Sequence, residues 1–322
     1  MRYIRKGAVM LFLLALTGCS KDEAGNDSDA PVPVRFEAGS PEVFKTRTEI
    51  NTLDDLKDPV NGFGVFAYYT GATAWESAKA SATPTPNFMY NQQVTWDGTN
   101  SVWIYTPVKY WPNDNNPADN TGATGSQGHS YVSFFAYAPY TSNTTGFSTN
   151  TDAGAPIISY TWEASNDLLY DKQIDQVKGT VSSAVTFTFK HALAKVEFKI
   201  RRKDNSGPPV TLKSLSIGLY TSGTFNLGTE SWTSPSVSGS RTICSTDLAV
   251  TEYTAETAHS LGSSMLVIPD LKYTINYTID GNEYTHNNVS ITGLNKGNSY
   301  TIIFTIDGDA IKVDTEKFTE QW

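Results

Sequence analysis

The sequence lacks the residue patterns on which catalysis and cofactor binding usually depend. Its 322 residues include two cysteines and four widely separated histidines. It contains no nucleophile-elbow, zinc-protease, P-loop or C-x-x-C motif. We therefore predict a protein that is not an enzyme and that holds no metal and no cofactor.

The residues that come nearest to such chemistry have simpler interpretations. Cys244 is expected to be a small, half-buried residue. His191 is expected to be a hydrogen-bonded histidine at a bend between strands. The oxygen-rich stretch 113–120 lacks the late glutamate of a calcium loop, which favours a polar hairpin loop.

Basic clusters are also scarce, which excludes one class of partner. The chain has 24 lysines and arginines against 33 aspartates and glutamates, giving a net charge of -9. Nucleic-acid binding depends on lysines and arginines that neutralise phosphates. We therefore expect no nucleic-acid partner.

Hydrophobic runs long enough to span a membrane are absent, and the longest apolar run lies near the N-terminus. Arg2, Arg5 and Lys6 precede an apolar run at 8–16, which is shorter than the roughly 20 residues of a transmembrane helix. These proportions are typical of a secretory signal peptide. We predict a signal peptide over residues 1–18. Its removal takes away three positive charges, so the net charge changes from -9 to -12.

The run ends in Leu-Thr-Gly-Cys, which resembles the lipobox of bacterial lipoproteins. The resemblance implies cleavage before Cys19, acylation of the Cys19 thiol, and attachment to the outer membrane at the surface of a Gram-negative cell. Residues 19–31 follow and include glycine, asparagine, aspartate, serine and proline. This composition predicts a flexible tether.

Alternating apolar and polar residues dominate the rest of the chain and predict an all-β fold. Clear alternation occurs at 185–189, 196–201, 273–279 and 300–306. The run Tyr131–Ala138 is apolar on both faces, which predicts a central strand. Short helices are expected only at Leu53–Lys57 and Ala74–Ala80. A polar stretch near Gln173–Ser183 suggests two domains, at 32–178 and 179–322.

Seven short strings occur in the order found in a known family. They are Phe63–Tyr68, Val108–Pro112, Ser133–Tyr140, Asn166–Tyr170, Phe189–Phe198, Met265–Pro269 and Gly297–Tyr300. Together they resemble the fimbrillin family, the subunits of type V pili. The resemblance implies two tandem transthyretin-like antiparallel β-sandwich domains. It also implies head-to-tail assembly with other pilus subunits, identical or different, into a fimbria that serves cell adhesion.

The resemblance further implies assembly by strand donation after proteolysis. An extracellular protease specific for arginine or lysine would remove the first strand, Val32–Phe36. Arg47 and Lys45 are the candidate cleavage positions, with Arg35 less favoured. The donor strand would lie within residues 311–322, with Ile311, Val313, Phe318 and Trp322 as candidate contact residues and a shift of register after Val313.

A second interpretation remains open, that of a monomeric surface lipoprotein that binds glycans. Exposed tryptophan and tyrosine rings can stack on sugars, and an aromatic cluster occurs at 96–111. Its members are Trp96, Trp103, Tyr105, Tyr110 and Trp111. Packing in a sandwich core requires the same residue types. A glycan platform predicts coplanar, exposed rings, whereas a pilus subunit predicts buried ones.

Overall fold

The structure is a computed structural model that describes most of the chain from residue 31 onwards. The described ranges are 31–39, 53–58, 62–81, 86–112, 130–142, 147–150, 156–161, 167–178, 184–269, 272–290 and 293–321. The expected signal peptide, Cys19, the tether up to residue 30, Lys45, Arg47, the 113–120 stretch and Trp322 lie outside these ranges.

The described residues form short helices and many strands, as an all-β fold requires. The helices are α1 Leu53–Lys57 and α2 Trp75–Ser81. The strands of the first half are β1 Phe36–Gly39, β2 Phe63–Gly71, β3 Met89–Asp97, β4 Val102–Ile104, β5 Tyr131–Ala138, β6 Phe147–Asn150, β7 Ile157–Thr161 and β8 Leu169–Gln176. The strands of the second half are β9 Val185–Thr188, β10 Lys190–His191, β11 Ala194–Arg202, β12 Val210–Asn226, β13 Ser231–Cys244, β14 Leu248–Val250, β15 His259–Ser260, β16 Met265–Val267, β17 Lys272–Ile279, β18 Asn282–Ser290, β19 Asn298–Asp307 and β20 Ala310–Gln321.

Both helix predictions are confirmed, and both helices are short. They contain five and seven residues. Neither helix could therefore cross a lipid bilayer, and the described residues contain no other helix.

The first sandwich is built from two sheets. A six-stranded sheet has the order β10-β8-β5-β2-β3-β4, and a two-stranded sheet pairs β1 with β9. Aromatic side chains from both sheets, such as Phe36, Phe63, Phe134 and Phe187, fill the space between them. The second sandwich packs the sheet β15-β11-β19-β20 against the sheet β18-β17-β12-β7-β6.

The six-stranded sheet is apolar on both faces. In β5, Phe134 packs in the first core, whereas Phe135 and Tyr137 pack in the second. In β2, Val65 packs in the first core and Phe66 packs in the second. The alternation of strand side chains therefore buries both faces, and the expectation that Tyr131–Ala138 is a central strand is confirmed.

Two details differ from the expectations. The sheets are not purely antiparallel, because β1 pairs with β9 and β11 pairs with β19 in parallel. The two halves of the chain are not cleanly separated at residue 178. Strands β9 and β10 still belong to the first sandwich, while β6 and β7 pair into a sheet of the second. Contacts between strands distant in sequence decide this division, so local composition does not reveal it.

The tight packing between β2 and β5 makes a substitution test possible. A Cβ atom added at Gly64 would lie 2.2 Å from the Tyr137 ring, which is fully buried. We expect Gly64→Ala to lower the free energy of unfolding by about 3 kcal/mol, since overpacking a dense core forces strain. Denaturant titration measures the change.

Gly98 supplies the matched control for this test. Its added Cβ would meet only the Trp96 ring, at 3.9 Å or more. We expect Gly98→Ala to change stability by less than about 0.5 kcal/mol. Equal effects of the two substitutions would show that the contact of Gly64 with Tyr137 does not limit the packing.

Candidate functional site

The first strand and the residues just before it fill a slot in the first sandwich. On one side, the Val34 amide donates to the Lys109 carbonyl at 2.8 Å, and the Trp111 amide donates to the Val32 carbonyl at 2.8 Å. On the other side, β1 pairs in parallel with β9, with Phe36 opposite Val185. The segment 32–39 therefore satisfies backbone groups on two separate flanks.

Further hydrogen bonds hold the backbone of residues 34–39 in the slot. The Val185 amide donates to the Arg35 carbonyl at 2.8 Å, and the Phe189 amide donates to the Gly39 carbonyl at 3.0 Å. The Tyr105 hydroxyl donates to the Val34 carbonyl at 2.8 Å. Burial raises the pKa of Tyr105 above its ordinary value, so the hydroxyl keeps its proton and remains a donor.

Alternation along residues 34–37 places apolar side chains in the core, although β1 itself begins at Phe36 and not at Val32 as expected. Val34 is 1% exposed and Phe36 is 3% exposed, whereas Arg35 and Glu37 face solvent. The Phe36 ring lies 5.3 to 6.3 Å from the rings of Phe63, Tyr105, Phe134 and Phe187. Residues from four other strands or loops thus meet at one side chain.

The last strand lies at an edge of the second sandwich, in a different sheet from the first strand. Strand β20 pairs antiparallel with β19, with Val313 opposite Phe304 and Phe318 opposite Ser299. The expected register shift after Val313 is wrong, because the ladder is regular from Ala310 to Phe318 and its irregularity falls beyond Phe318. An edge strand has one unpaired side, which makes it the part of a sheet most open to exchange.

The start of this strand is anchored in the second core. Ile311 is 5% exposed and packs in the second core, and its amide donates to the Tyr277 hydroxyl at 3.1 Å. Val313 packs against the same core. Asp314 and Thr315, which follow Val313, are exposed.

The aromatic cluster packs rather than forming a platform. Trp103 and Trp111 are buried, and Trp96 and Tyr105 are half-buried; only Tyr110 of the five rings is exposed. The Trp96 and Trp103 rings meet edge to face, at 5.3 Å and 67°. Coplanar exposed rings, which stacking on a sugar requires, are not formed by this cluster.

The residues with possible reactivity serve the fold. The Nδ1 atom of His191 lies 2.8 Å from Oδ2 of Asp167, and both side chains are buried. This confirms the interpretation of His191 as a hydrogen-bonded histidine. Cys244 is buried, and its thiol donates to the Thr246 carbonyl. Within the described ranges, no group of three His, Cys, Asp or Glu side chains is arranged to hold a metal ion.

Several slot residues could not be identified from the sequence. Val185 and Phe187 alternate in a pattern that predicts a strand, but nothing local indicates a parallel pairing with a segment about 150 residues away. The sequence indicates Tyr105 only as one member of an aromatic cluster. Cys19, Lys45, Arg47 and Trp322 lie outside the described residues, so their placement stays a prediction.

Comparisons with known proteins agree on one relationship. A family model described as fimbrillin-like matches residues 46–322. A curated protein of Phocaeicola vulgatus, "Fimbrium subunit Fim1C", is 27% identical over 98% of this chain and 95% of its own. A crystal structure of a fimbrial protein from Bacteroides vulgatus superposes with a TM-score of 0.60 at 23% identity, covering 90% of this chain and 99% of that one. That structural likeness supports the same overall fold.

The burial of Phe36 predicts how strongly the first strand supports the sandwich. We expect Phe36→Ala to lower the free energy of unfolding by about 3–5 kcal/mol, because the substitution leaves a cavity among several rings. Denaturant titration of the uncleaved chain measures this loss.

Arg35, the residue directly before Phe36, provides a control. Its side chain is exposed, so Arg35→Ala should change stability by less than about 0.5 kcal/mol. A Phe36→Ala variant as stable as Arg35→Ala would contradict the view that this strand completes the core.

Proposed function

The chain belongs to the fimbrillin-like family, and we propose that it is a structural subunit of a cell-surface pilus, assembled by strand donation and serving adhesion. The observation that carries the assembly mechanism is the slot filled by residues 32–39. That segment lies between two flanks of the first sandwich and contributes buried side chains to its core. The alternative of a monomeric glycan-binding protein has no comparable support.

Removal of the segment would create a binding groove for an extended chain. The amides of Val185, Phe189 and Trp111 would lose their carbonyl partners. The space left by Val34 and Phe36 would expose aromatic side chains to water. An incoming strand satisfies the backbone groups and fills the apolar space at the same time, which is how strand addition gains affinity.

The position of the cleavage sites fits this mechanism. Lys45 and Arg47 lie between the end of β1 at Gly39 and the start of α1 at Leu53. A cut there by an extracellular protease specific for arginine or lysine would leave residues 32–39 attached only by non-covalent contacts. Those contacts bury two apolar side chains, so we expect release to accompany entry of a donor strand rather than precede it.

The last strand is the proposed donor. Ile311 and Val313 pack on their own second core, so we propose that the donated part begins after Val313 and includes Phe318 and Trp322. Because a donor end and an acceptor slot lie in different sheets of one subunit, each contact is head to tail. Such heterologous contacts produce an open fibre rather than a closed ring.

We further propose that the chain reaches the cell surface as a lipoprotein. Acylation of Cys19 would hold it at the outer membrane until the protease acts, after which it would join the fimbria. Its partners are then other pilus subunits, the maturation protease and, before cleavage, the lipid of the outer membrane. The proposed role is structural and involves no catalysis.

The start of the surface protein tests the maturation step. We expect N-terminal sequencing of assembled protein to begin at Thr48, directly after Arg47. The Arg47→Ala variant should keep the acylated Cys19 as its first residue and remain outside fibres. The control is Arg35→Ala, which changes an exposed arginine of the first strand and should be processed normally. A start at Cys19 in assembled wild-type protein would contradict cleavage, and a start at Thr46 would move it to Lys45.

A short deletion tests the donor. After treatment with an arginine-specific protease, the wild-type chain should form polymers visible by electron microscopy. A chain lacking residues 318–322 should stay monomeric with a melting temperature within a few degrees of wild type, because its Ile311 anchor remains. Lys312→Ala, at an exposed position of the same strand before the donated part, serves as the control and should still polymerise. Normal fibres from the deleted chain would refute the donor assignment.

A further inference from the structure

Most of the exposed large apolar side chains in the described ranges lie within residues 102–110 or at Val32, on the segment that pairs with them. Five such side chains, each between 41% and 49% exposed, form what is called here the apolar edge: Val32, Val102, Ile104, Val108 and Tyr110. Single exposed apolar residues are common on protein surfaces, but groups of them mark interaction sites.

Hydrogen bonds link the short segments that carry these five residues, among them the bond from the Trp111 amide to the Val32 carbonyl. Strand β4 is the outermost strand of the six-stranded sheet, and Val102 and Ile104 point to solvent on either side of the buried Trp103. The Tyr105 hydroxyl, directly after this strand, lies 3.3 Å from the Lys109 carbonyl. Pro33, next to Val32, forms a bridge with Tyr110. The apolar edge is therefore one connected part of the first sandwich.

The composition of the edge suits a lipid surface. Its members are aliphatic except for Tyr110, whose ring combines an apolar body with a polar hydroxyl. Tyrosines of this kind favour the boundary between hydrocarbon and water. None of the five side chains is charged, so contact here would depend on apolar burial and not on attraction between charges.

The length of chain that precedes the edge points to the same partner. Residues 19–31 separate the proposed lipid on Cys19 from Val32, which itself belongs to the edge. Thirteen residues span at most about 45 Å, and a flexible chain of this length has a root-mean-square extension of about 20 Å. The edge is thus the first folded surface along the chain from the membrane.

From these observations we propose that the apolar edge rests on the lipid surface while the chain is anchored, which fixes the orientation of the first sandwich towards the membrane. This inference rests on the proposed acylation of Cys19. Cleavage at Lys45 or Arg47 followed by release of residues 32–39 would remove the tether and Val32 together, and the sandwich would then leave the membrane.

Fluorescence quenching by brominated lipid tests the contact directly. Trp103, between Val102 and Ile104, and Trp111, next to Tyr110, are 9% and 7% exposed, so their part of the emission reports bromine atoms nearby. The acylated full-length chain is bound to vesicles of phosphatidylcholine and, separately, of brominated phosphatidylcholine. We expect clear quenching in the wild type, and at least a threefold smaller effect in a Val102→Thr, Ile104→Thr, Val108→Thr triple variant, which keeps a β-branched side chain at each position.

A matched control uses the exposed tyrosines away from the edge, Tyr90 and Tyr253, which are 52% and 46% exposed. The Tyr90→Thr, Tyr253→Thr variant should be quenched as strongly as the wild type. All variants should float with the vesicles, because the lipid on Cys19 holds them, and thermal melting checks that each is folded.

The outcomes distinguish a failure of the proposed edge contact from a failure of the proposed lipid anchor. Flotation of every protein, with quenching of the triple variant equal to that of the wild type, would overturn the proposed contact and leave the lipid anchor intact. A wild-type chain that does not float with vesicles would overturn the anchor itself, and the orientation proposed here with it.

Discussion

The first sandwich depends on the burial of Phe36 and Val34, which enter its core from a strand at the N-terminal end of the fold. The strand is held in place by non-covalent contacts: hydrogen bonds on two sides and aromatic packing in the core. An element that completes a core is costly to lose, since both backbone pairing and apolar burial are lost together. Its contacts involve mainly backbone groups and alternating apolar side chains, which is the basis of the proposal that another extended segment can replace it.

The second constraint is the two-sided burial of the six-stranded sheet. Phe134 and Phe135, adjacent in sequence, pack in different cores. The middle strands therefore join the two sandwiches through a shared layer, and β6 and β7 extend the second sandwich with residues from the first half of the chain. This shared layer connects the two sandwiches through packed side chains rather than through a linker.

Much of the secondary structure could be predicted because it depends on local periodicity. The strand at Tyr131–Ala138, the alternation at 196–201 and the helix at Leu53–Lys57 follow from residues next to each other in the chain, and the structure has all three. The slot could not be predicted. Pairing of Phe36 with Val185, and of Pro33 with Tyr110, joins segments that are far apart in sequence, and side-chain periodicity carries no information about which strands become neighbours.

The last strand shows the same division. The alternation of Ile311 and Val313 indicates a strand, yet only the fold shows that these residues pack in their own core while the chain beyond them forms a sheet edge. The sequence by itself determined the strand class, the scarcity of catalytic groups and the family resemblance, because these depend on residue type and order along the chain. The tertiary structure decided which strand completes which core, where the sheets have open edges and which apolar side chains remain in contact with water, because these properties arise only when distant segments are packed together.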